Sequence, residues 1–248
     1  MPWRQVKLAV VPTSCAEVIV LQRLKYRREH KHVISSGDAI AVRSRLRHVM
    51  QADPFARPDG TYYVRSLYFD TPEDSALKDK LAGTPMREKF RIRFYNLDPT
   101  FIRLEKKLKH TGMTAKFQAR IESGDVERIL AGDIAFLKDA PQPLLRELYL
   151  KYLVQRLRPK VIVDYTREAY AFRAGNVRVT LDSDVRTAVG SVEVLDRALP
   201  TAPALGKGLV ILEVKCDEFL PDLVWDLIQL NDCSTTSASK YALCRKYL

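Results

Sequence analysis

The sequence predicts an α+β fold: an antiparallel β-barrel of about eight strands, with a charged lumen and helices packed outside. Three observations lead there. Several runs alternate long charged side chains with apolar ones at a period of two, so that each would present a charged and an apolar face as a strand. Two of these runs, joined by the turn signal Asn96-Leu97-Asp98-Pro99, read as a hairpin. Between the runs lie segments of helical apolar periodicity, which need an apolar surface to cover.

The hairpin carries the clearest pattern. Arg87, Lys89, Arg91 and Arg93 alternate with Phe90, Ile92 and Phe94; after the turn, Arg103, Glu105, Lys107 and Lys109 alternate with Ile102, Leu104 and Leu108. One such hairpin alone would read as a sheet with its charged face in water. The pattern recurs, however, along the chain.

In order, Tyr26 to Ile34 is a first strand, with Glu29, Lys31 and Val33 on one face and His30, His32 and Ile34 on the other. The two histidines lie opposite the carboxylate and read as surface or packing residues rather than metal ligands. Ser35 to Asp38 offers N-cap chemistry for a helix with Ile40, Val42, Leu46, Val49 and Met50 as its apolar stripe. Tyr62 to Phe69 is a strand rich in aromatic and β-branched residues. Thr71 then caps a short helix with Pro72 in its first turn, running to about Leu81 and stopping at Gly83.

After the hairpin, Thr114 to Glu122 places Lys116, Gln118, Arg120 and Glu122 on one face. Helical patterns follow around Val126 to Leu130 and Leu144 to Leu157. Further strands are Lys160 to Tyr170, Asn176 to Arg186 and Gly208 to Asp217; in the last, Glu213 and Lys215 share a face. The stretch from Ser191 to Gly206 reads as a mobile loop. Helical segments at Asp222 to Leu230 and from Ser239 close the chain. Residues 1–25 form an extension without a convincing signal-peptide cleavage site, and residues 26–248 form the folded unit.

Across 248 residues, 41 Lys and Arg face 30 Asp and Glu, a formal charge of +11 that favours a polyanionic partner. Cys15, Cys216, Cys233 and Cys244 lack C-x-x-C spacing and have no histidine at metal-ligand separation, which argues against a zinc site. The core-like settings of Cys216 and Cys244 suit buried thiols in a reducing cytoplasm. No apolar run approaches a membrane span.

If the apolar strand faces pointed into the barrel, the helices would have no sheet surface to pack on; the charged faces must therefore line the lumen. So many cations in one lumen need carboxylates, water or a bound polyanion to compensate them. Lys31, Arg91, Arg93, Lys107, Lys116, Arg120, Arg167, Arg178 and Lys215, interleaved with Glu29, Glu105, Asp182 and Glu213, suit a triphosphate and its divalent metal.

Several stretches carry a resemblance: Tyr26-Arg27-Arg28-Glu29-His30-Lys31, Arg65-Ser66-Leu67-Tyr68-Phe69-Asp70, Arg91-Ile92-Arg93-Phe94-Tyr95 and Leu104-Glu105-Lys106-Lys107. Arg167-Glu168-Ala169-Tyr170, Arg178-Val179-Thr180-Leu181-Asp182, Leu212-Glu213-Val214-Lys215 and Ser239-Lys240-Tyr241 continue it. In this order they resemble the vacuolar transporter chaperone (VTC) domain, the polyphosphate polymerase branch of the triphosphate tunnel metalloenzyme superfamily, over about Tyr26 to Tyr241. The resemblance implies phosphate contacts by Lys31, Arg91, Arg93, Lys107, Arg167, Arg178 and Lys240, and places Glu213 at the family's metal-binding glutamate. Arg65, Tyr68, Glu29, Glu105, Lys116, Arg120, Asp182, Lys215 and Ser239 complete the expected substrate site. One departure stands out: the superfamily's first strand often reads E-x-E-x-K, and here Arg27 occupies the first glutamate's place, which fits the polymerase branch better than a two-metal hydrolase.

The expected activity is transfer of the γ-phosphoryl group of ATP onto a polyphosphate chain with Mn²⁺ or Mg²⁺. A triphosphate hydrolase of the same fold and a non-catalytic polyphosphate-binding module are the alternatives. Nucleic acid is not expected as a partner, because it would need an exposed basic surface with stacking aromatics, and these cations alternate on inward strand faces.

Overall fold

The alternating runs pair into one antiparallel sheet in a computed structural model that describes residues 27–111, 113–217, 219–230 and 238–247. The expectation for residues 1–25, and those for Cys15 and Cys233, lie outside the described residues. In chain order the strands are β1 (Arg28–Ser35), β2 (Gln51–Ala52), β3 (Thr61–Asp70), β4 (Met86–Tyr95), β5 (Asp98–His110), β6 (Met113–Ile121), β7 (Arg158–Phe172), β8 (Val177–Ala188), β9 (Thr201–Pro203) and β10 (Leu209–Cys216). The α-helices are α1 (Ser36–Val49), α2 (Ser75–Leu81), α3 (Ser123–Leu130), α4 (Pro143–Val154), α5 (Asp222–Ile228) and α6 (Lys240–Cys244).

Eight strands follow the path β1-β10-β8-β7-β3-β4-β5-β6, while β2 and β9 add short pairings to β7 and β8. The sheet curls so that the ends of the path approach each other. Arg27 and Thr114 exchange two backbone hydrogen bonds there, of 3.1 and 3.2 Å, and among the described residues this bridge is the seam's only strand pairing. The result is a tunnel-shaped barrel held open along most of its seam.

The outward faces are apolar, as the alternation requires, and two helical layers cover them. Phe90, Ile92, Phe94, Ile102 and Leu104 pack against Val126 and Ile129 of α3 and Leu144, Leu145 and Leu148 of α4. On the other side Ile34, Val179, Leu181, Leu212 and Val214 pack against Ala39, Val42 and Leu46 of α1 and Val224 and Ile228 of α5. Ser35 caps α1 in a capping box with Asp38, as the sequence suggests. Among the described residues no helix is long and apolar enough to cross a membrane.

Three expectations change. The helix after β3 starts at Ser75 rather than beside Pro72, because Asp74 takes a left-handed backbone (φ 58°) that no helix interior accepts. The cap position is therefore Asp74 rather than Thr71, and its side chain makes no capping bond; the Thr71 hydroxyl accepts from the Ser75 N–H at 3.2 Å, and the Asp70 carboxylate accepts from Ala76 and Leu77 at 2.9 and 3.2 Å. The stretch from Ser191 to Gly206 is packed rather than loose: Val194 is fully buried and β9 pairs with β8. Finally, the lumen is not charged throughout. Val161, Val163, Val185 and Ile211 form an apolar floor on which Tyr241 and Cys244 of α6 pack, so this helix fills part of the concave side. Cys216 and Cys244 are buried free thiols, and burial pushes the Cys244 thiol up to about 12.

Candidate functional site

The inward positions of β1, β3, β4, β5, β7 and β10, together with α6, surround a cavity of about 410 Å³. Among the described residues, eleven Lys and Arg side chains line it against two carboxylates, Glu29 and Glu213. Of the expected site residues, Lys31, Tyr68, Arg91, Arg93, Lys107, Arg167, Lys215, Ser239 and Lys240 come together here with the two glutamates.

The cations deep in this cavity are held in place by buried acceptors. Arg91 donates from Nε to Glu105 at 2.7 Å and from Nη1 to the Tyr68 hydroxyl at 2.8 Å. Arg93 donates to Ser66 Oγ at 2.9 Å and to the Tyr165 hydroxyl at 3.1 Å. Arg167 makes a two-point contact with Asp182, at 2.6 and 2.8 Å, and Lys240 reaches the same carboxylate. Lys107 donates to both oxygens of Glu29. Lys31 and Lys215 flank Glu213 at 3.0 and 3.3 Å, with Arg167 at 3.7 Å. Glu105 and Asp182, expected to touch substrate, instead lie behind the arginines and fix their planes; Lys116 lies against Glu105 from β6.

Burial opposes charge throughout this site, and the neighbours decide the outcome. It disfavours the Glu105 carboxylate, yet Arg91, Arg93 and Lys116 outweigh it and hold that carboxyl well below the usual range. Asp182 likewise falls to about 2, through Arg167 and Lys240. Burial would lower Lys31 too, but Glu213 and Glu29 raise it. Lys107 falls to about 8 through burial and then Lys31, and Lys215 to about 8 through burial and then Arg167. Lys89 falls furthest, to about 7, because burial is reinforced by Lys80, Lys107 and Arg87. Its ammonium lies 4.3 Å from the centre of the Tyr241 ring.

Three more of the expected residues have their side chains away from this cavity. Arg65 lies on the outer sheet face, where it is nearly completely buried and clamps Asp164 at 2.8 Å while donating to the backbone carbonyl of Asp196. Its parity explains this: Tyr62, Val64, Ser66 and Tyr68 face inward, so Arg65 shares the outward face with Leu67 and Phe69. Arg178 pairs with Lys215 across β8 and β10 on the same face, but its guanidinium reaches toward the far end of the lumen, bonded to Asp53 and, at 2.9 Å, to the Tyr62 hydroxyl. There it lines a second cavity of about 560 Å³ with Tyr95, Phe101 and Arg103. Arg120 shares a face with Lys116 but pairs with Arg103 at that same far end, over the Phe101 ring.

Sequence reasoning missed Lys80, Arg87, Lys89 and Lys109 as cavity residues. For the last three the signal was present, since they continue the alternation of Arg91, Arg93 and Lys107 toward the near mouth. Lys80 had no such signal: α2 brings it over the mouth from outside the sheet.

A divalent metal has no all-protein cage here, since among the described residues no group of three His, Cys, Asp or Glu side chains converges. Glu213 and Glu29 fit a metal of another kind. They stand beside shared lysines in ionised form and leave most coordination positions to phosphate oxygens and water, as Mg²⁺ commonly requires.

Among solved structures, the chain is similar to a Hippeastrum protein described as having a dominant triphosphatase activity, at 16% identity and TM-score 0.49 over 89% of this chain and 95% of that one. It is also similar to a Bacillus halodurans protein provisionally described as an adenylate cyclase (12% identity, TM-score 0.46, 76% of this chain and 81% of that one). A Pyrococcus horikoshii OT3 protein matches at 15% identity and TM-score 0.40, over 82% of this chain and 84% of that one. No curated protein matches the chain. The family model described as the VTC domain matches residues 26–248, close to the whole length, and the chain belongs to the VTC domain family.

Proposed function

We propose that this protein is a polyphosphate polymerase, transferring the γ-phosphoryl group of ATP onto a growing phosphate chain and releasing ADP. The observation that carries the reading is the near cavity, with eleven cations against two carboxylates among the described residues, in a VTC-domain chain. A terminal phosphate oxygen of the acceptor attacks the γ-phosphorus while the bond to the β–γ bridging oxygen breaks, and the electron pair leaves with ADP. The attacking oxygen is already anionic, so no general base is needed. What is needed is neutralisation of two polyanions as they approach a loose transition state. Arg91, Arg93 and Arg167 supply it with planar forks already oriented by Glu105, Tyr68, Ser66, Tyr165 and Asp182, and Lys31, Lys107, Lys215 and Lys240 supply point charge. Bound Mn²⁺ or Mg²⁺ would add charge neutralisation on the phosphate oxygens, held by Glu213 with Glu29 beside it.

The carboxylates argue against water activation. Glu29 and Glu213 both titrate below the usual range and are engaged by lysines, which makes them poor general bases near neutrality. Buried thiols at Cys216 and Cys244 suit a reducing cytoplasm. The test follows labelled γ-phosphate on a polyacrylamide gel after incubation with ATP, Mn²⁺ and short polyphosphate primer. A ladder of lengthening chains is expected; orthophosphate as the sole product would replace this reading with a hydrolase.

A further inference from the structure

Charge in the near half of the lumen falls into two zones. In the inner zone Lys31, Arg91, Arg93, Lys107, Lys116, Arg167, Lys215 and Lys240 all lie within ion-pair distance of Glu29, Glu105, Asp182 or Glu213. Eight cations against four carboxylates leave an excess of four positive charges, enough for one triphosphate, which carries about four negative charges when fully ionised.

The outer zone differs. Lys80, Arg87, Lys89 and Lys109 line the same cavity at its near mouth, and none reaches a carboxylate within ion-pair distance among the described residues. Arg87 and Lys109 stand directly opposite each other on β4 and β5, as do Lys89 and Lys107. Like charges so placed across a ladder destabilise it. The mutual repulsion shows in the lowered pKa values of Lys80 and Lys109, where burial comes first and Arg87 next. A merely solvated rim would splay these side chains apart on the outside, whereas all four are partly buried around one cavity.

We propose that Lys80, Arg87, Lys89 and Lys109 form a second phosphate-chain site at the near mouth, occupied by inorganic polyphosphate while a triphosphate fills the inner zone. The inference rests on the polymerase reading, for which this site would hold the acceptor chain end-on to the donor. Its position outside Arg91 and Lys107 along the same two strands gives the chain a continuous cationic track.

The test is equilibrium binding, which needs no turnover. Wild-type protein saturated with a non-hydrolysable ATP analogue and Mn²⁺ is titrated with long-chain inorganic polyphosphate by calorimetry, beside a variant carrying Lys80→Ala, Arg87→Ala and Lys109→Ala. The analogue-saturated wild type is expected to bind polyphosphate. The variant should lose about tenfold or more of that affinity, with a shallower salt dependence, and keep its analogue affinity within about threefold. A second variant with Lys80→Arg, Arg87→Lys and Lys109→Arg retains the charge and should bind the chain nearly as well as wild type. Any of three results overturns the proposal: no polyphosphate binding to the saturated wild type, equal loss of both ligands in the alanine variant, or no loss of either. A hydrolase would show itself separately on the product gel, so the two failures are distinguishable.

Discussion

Arg91 and Arg93 arrive at the site already oriented, and their partners decide how they can be tested. Replacing both by alanine would strand Glu105, almost wholly buried, with Lys116 alone, and an uncompensated buried charge costs several kcal/mol. Lysine at both positions keeps Glu105 compensated but removes the planar fork that grips two phosphate oxygens at once. The expected result for Arg91→Lys with Arg93→Lys is a melting temperature within a few degrees of wild type and a triphosphate affinity lower by about tenfold or more, at roughly 1.5–3 kcal/mol per charge-assisted contact. Calorimetry showing undiminished affinity in that variant would remove these arginines from the binding site. At this scale the sequence is most legible where the alternation is counted strictly. Inward parity brings Lys31, Arg91, Arg93, Lys107, Arg167 and Lys215 to one cavity, and the same parity, applied to β3, turns Arg65 outward. What a side chain reaches is the part that alternation alone does not encode: Arg178 shares a face with its cross-strand partner Lys215 yet bonds Asp53 and Tyr62 at the second cavity, and Arg120 pairs with Arg103, which lines that cavity.

The elements owe their placement to buried polar ties as much as to apolar packing. Asp70, at the end of β3, accepts hydrogen bonds from the first turn of α2 and from the Tyr241 hydroxyl in α6, so a single carboxylate positions the helices that carry Lys80 and Lys240. The Arg65–Asp164 pair joins β3 to β7 on the outer face and anchors the segment at Val194 and Asp196 through backbone carbonyls. That is why Ser191 to Gly206 misleads a reading of the sequence alone. Its small residues and prolines look like a free loop, while the arginine that holds it lies about 130 residues earlier. Removing the charge of the clamp tests this account. Asp164→Asn leaves a guanidinium buried without its counterion, at a cost of about 3–5 kcal/mol, or a fall in melting temperature of roughly 6–20 °C for a chain of this size. Because the pair lies outside the lumen, the folded variant should bind triphosphate as wild type does. A variant that melts normally but binds weakly would place Arg65 back among the ligand contacts.

For the molecule as a whole, the concentration of cations in one lumen sets stability against binding, and pH separates the two. Lys89 is lowered to about 7, and Lys107 and Lys215 to about 8, while an unfolded lysine titrates near 10.4. Between those values the unfolded chain binds more protons than the folded one, so stability rises with pH across that window and the penalty of charging these lysines is complete below it. Binding of a phosphate chain runs the other way. It needs the ammonium forms, and a phosphate monoester has already lost its last proton near pH 6, so from about pH 7 to about pH 9 the titrating partner is the protein. The ligand-free protein should therefore melt at increasing temperature over that range while its affinity for tripolyphosphate falls, by about tenfold for each lysine contact fully neutralised. Near pH 8 binding should take up protons, visible as a calorimetric heat that changes with the ionisation enthalpy of the buffer. Thermal melts and titrations in the same buffers decide the point. An affinity that stays level across the window, or a melting temperature that falls with it, would mean that these lysines neither repel one another in the empty lumen nor meet the phosphates in the filled one.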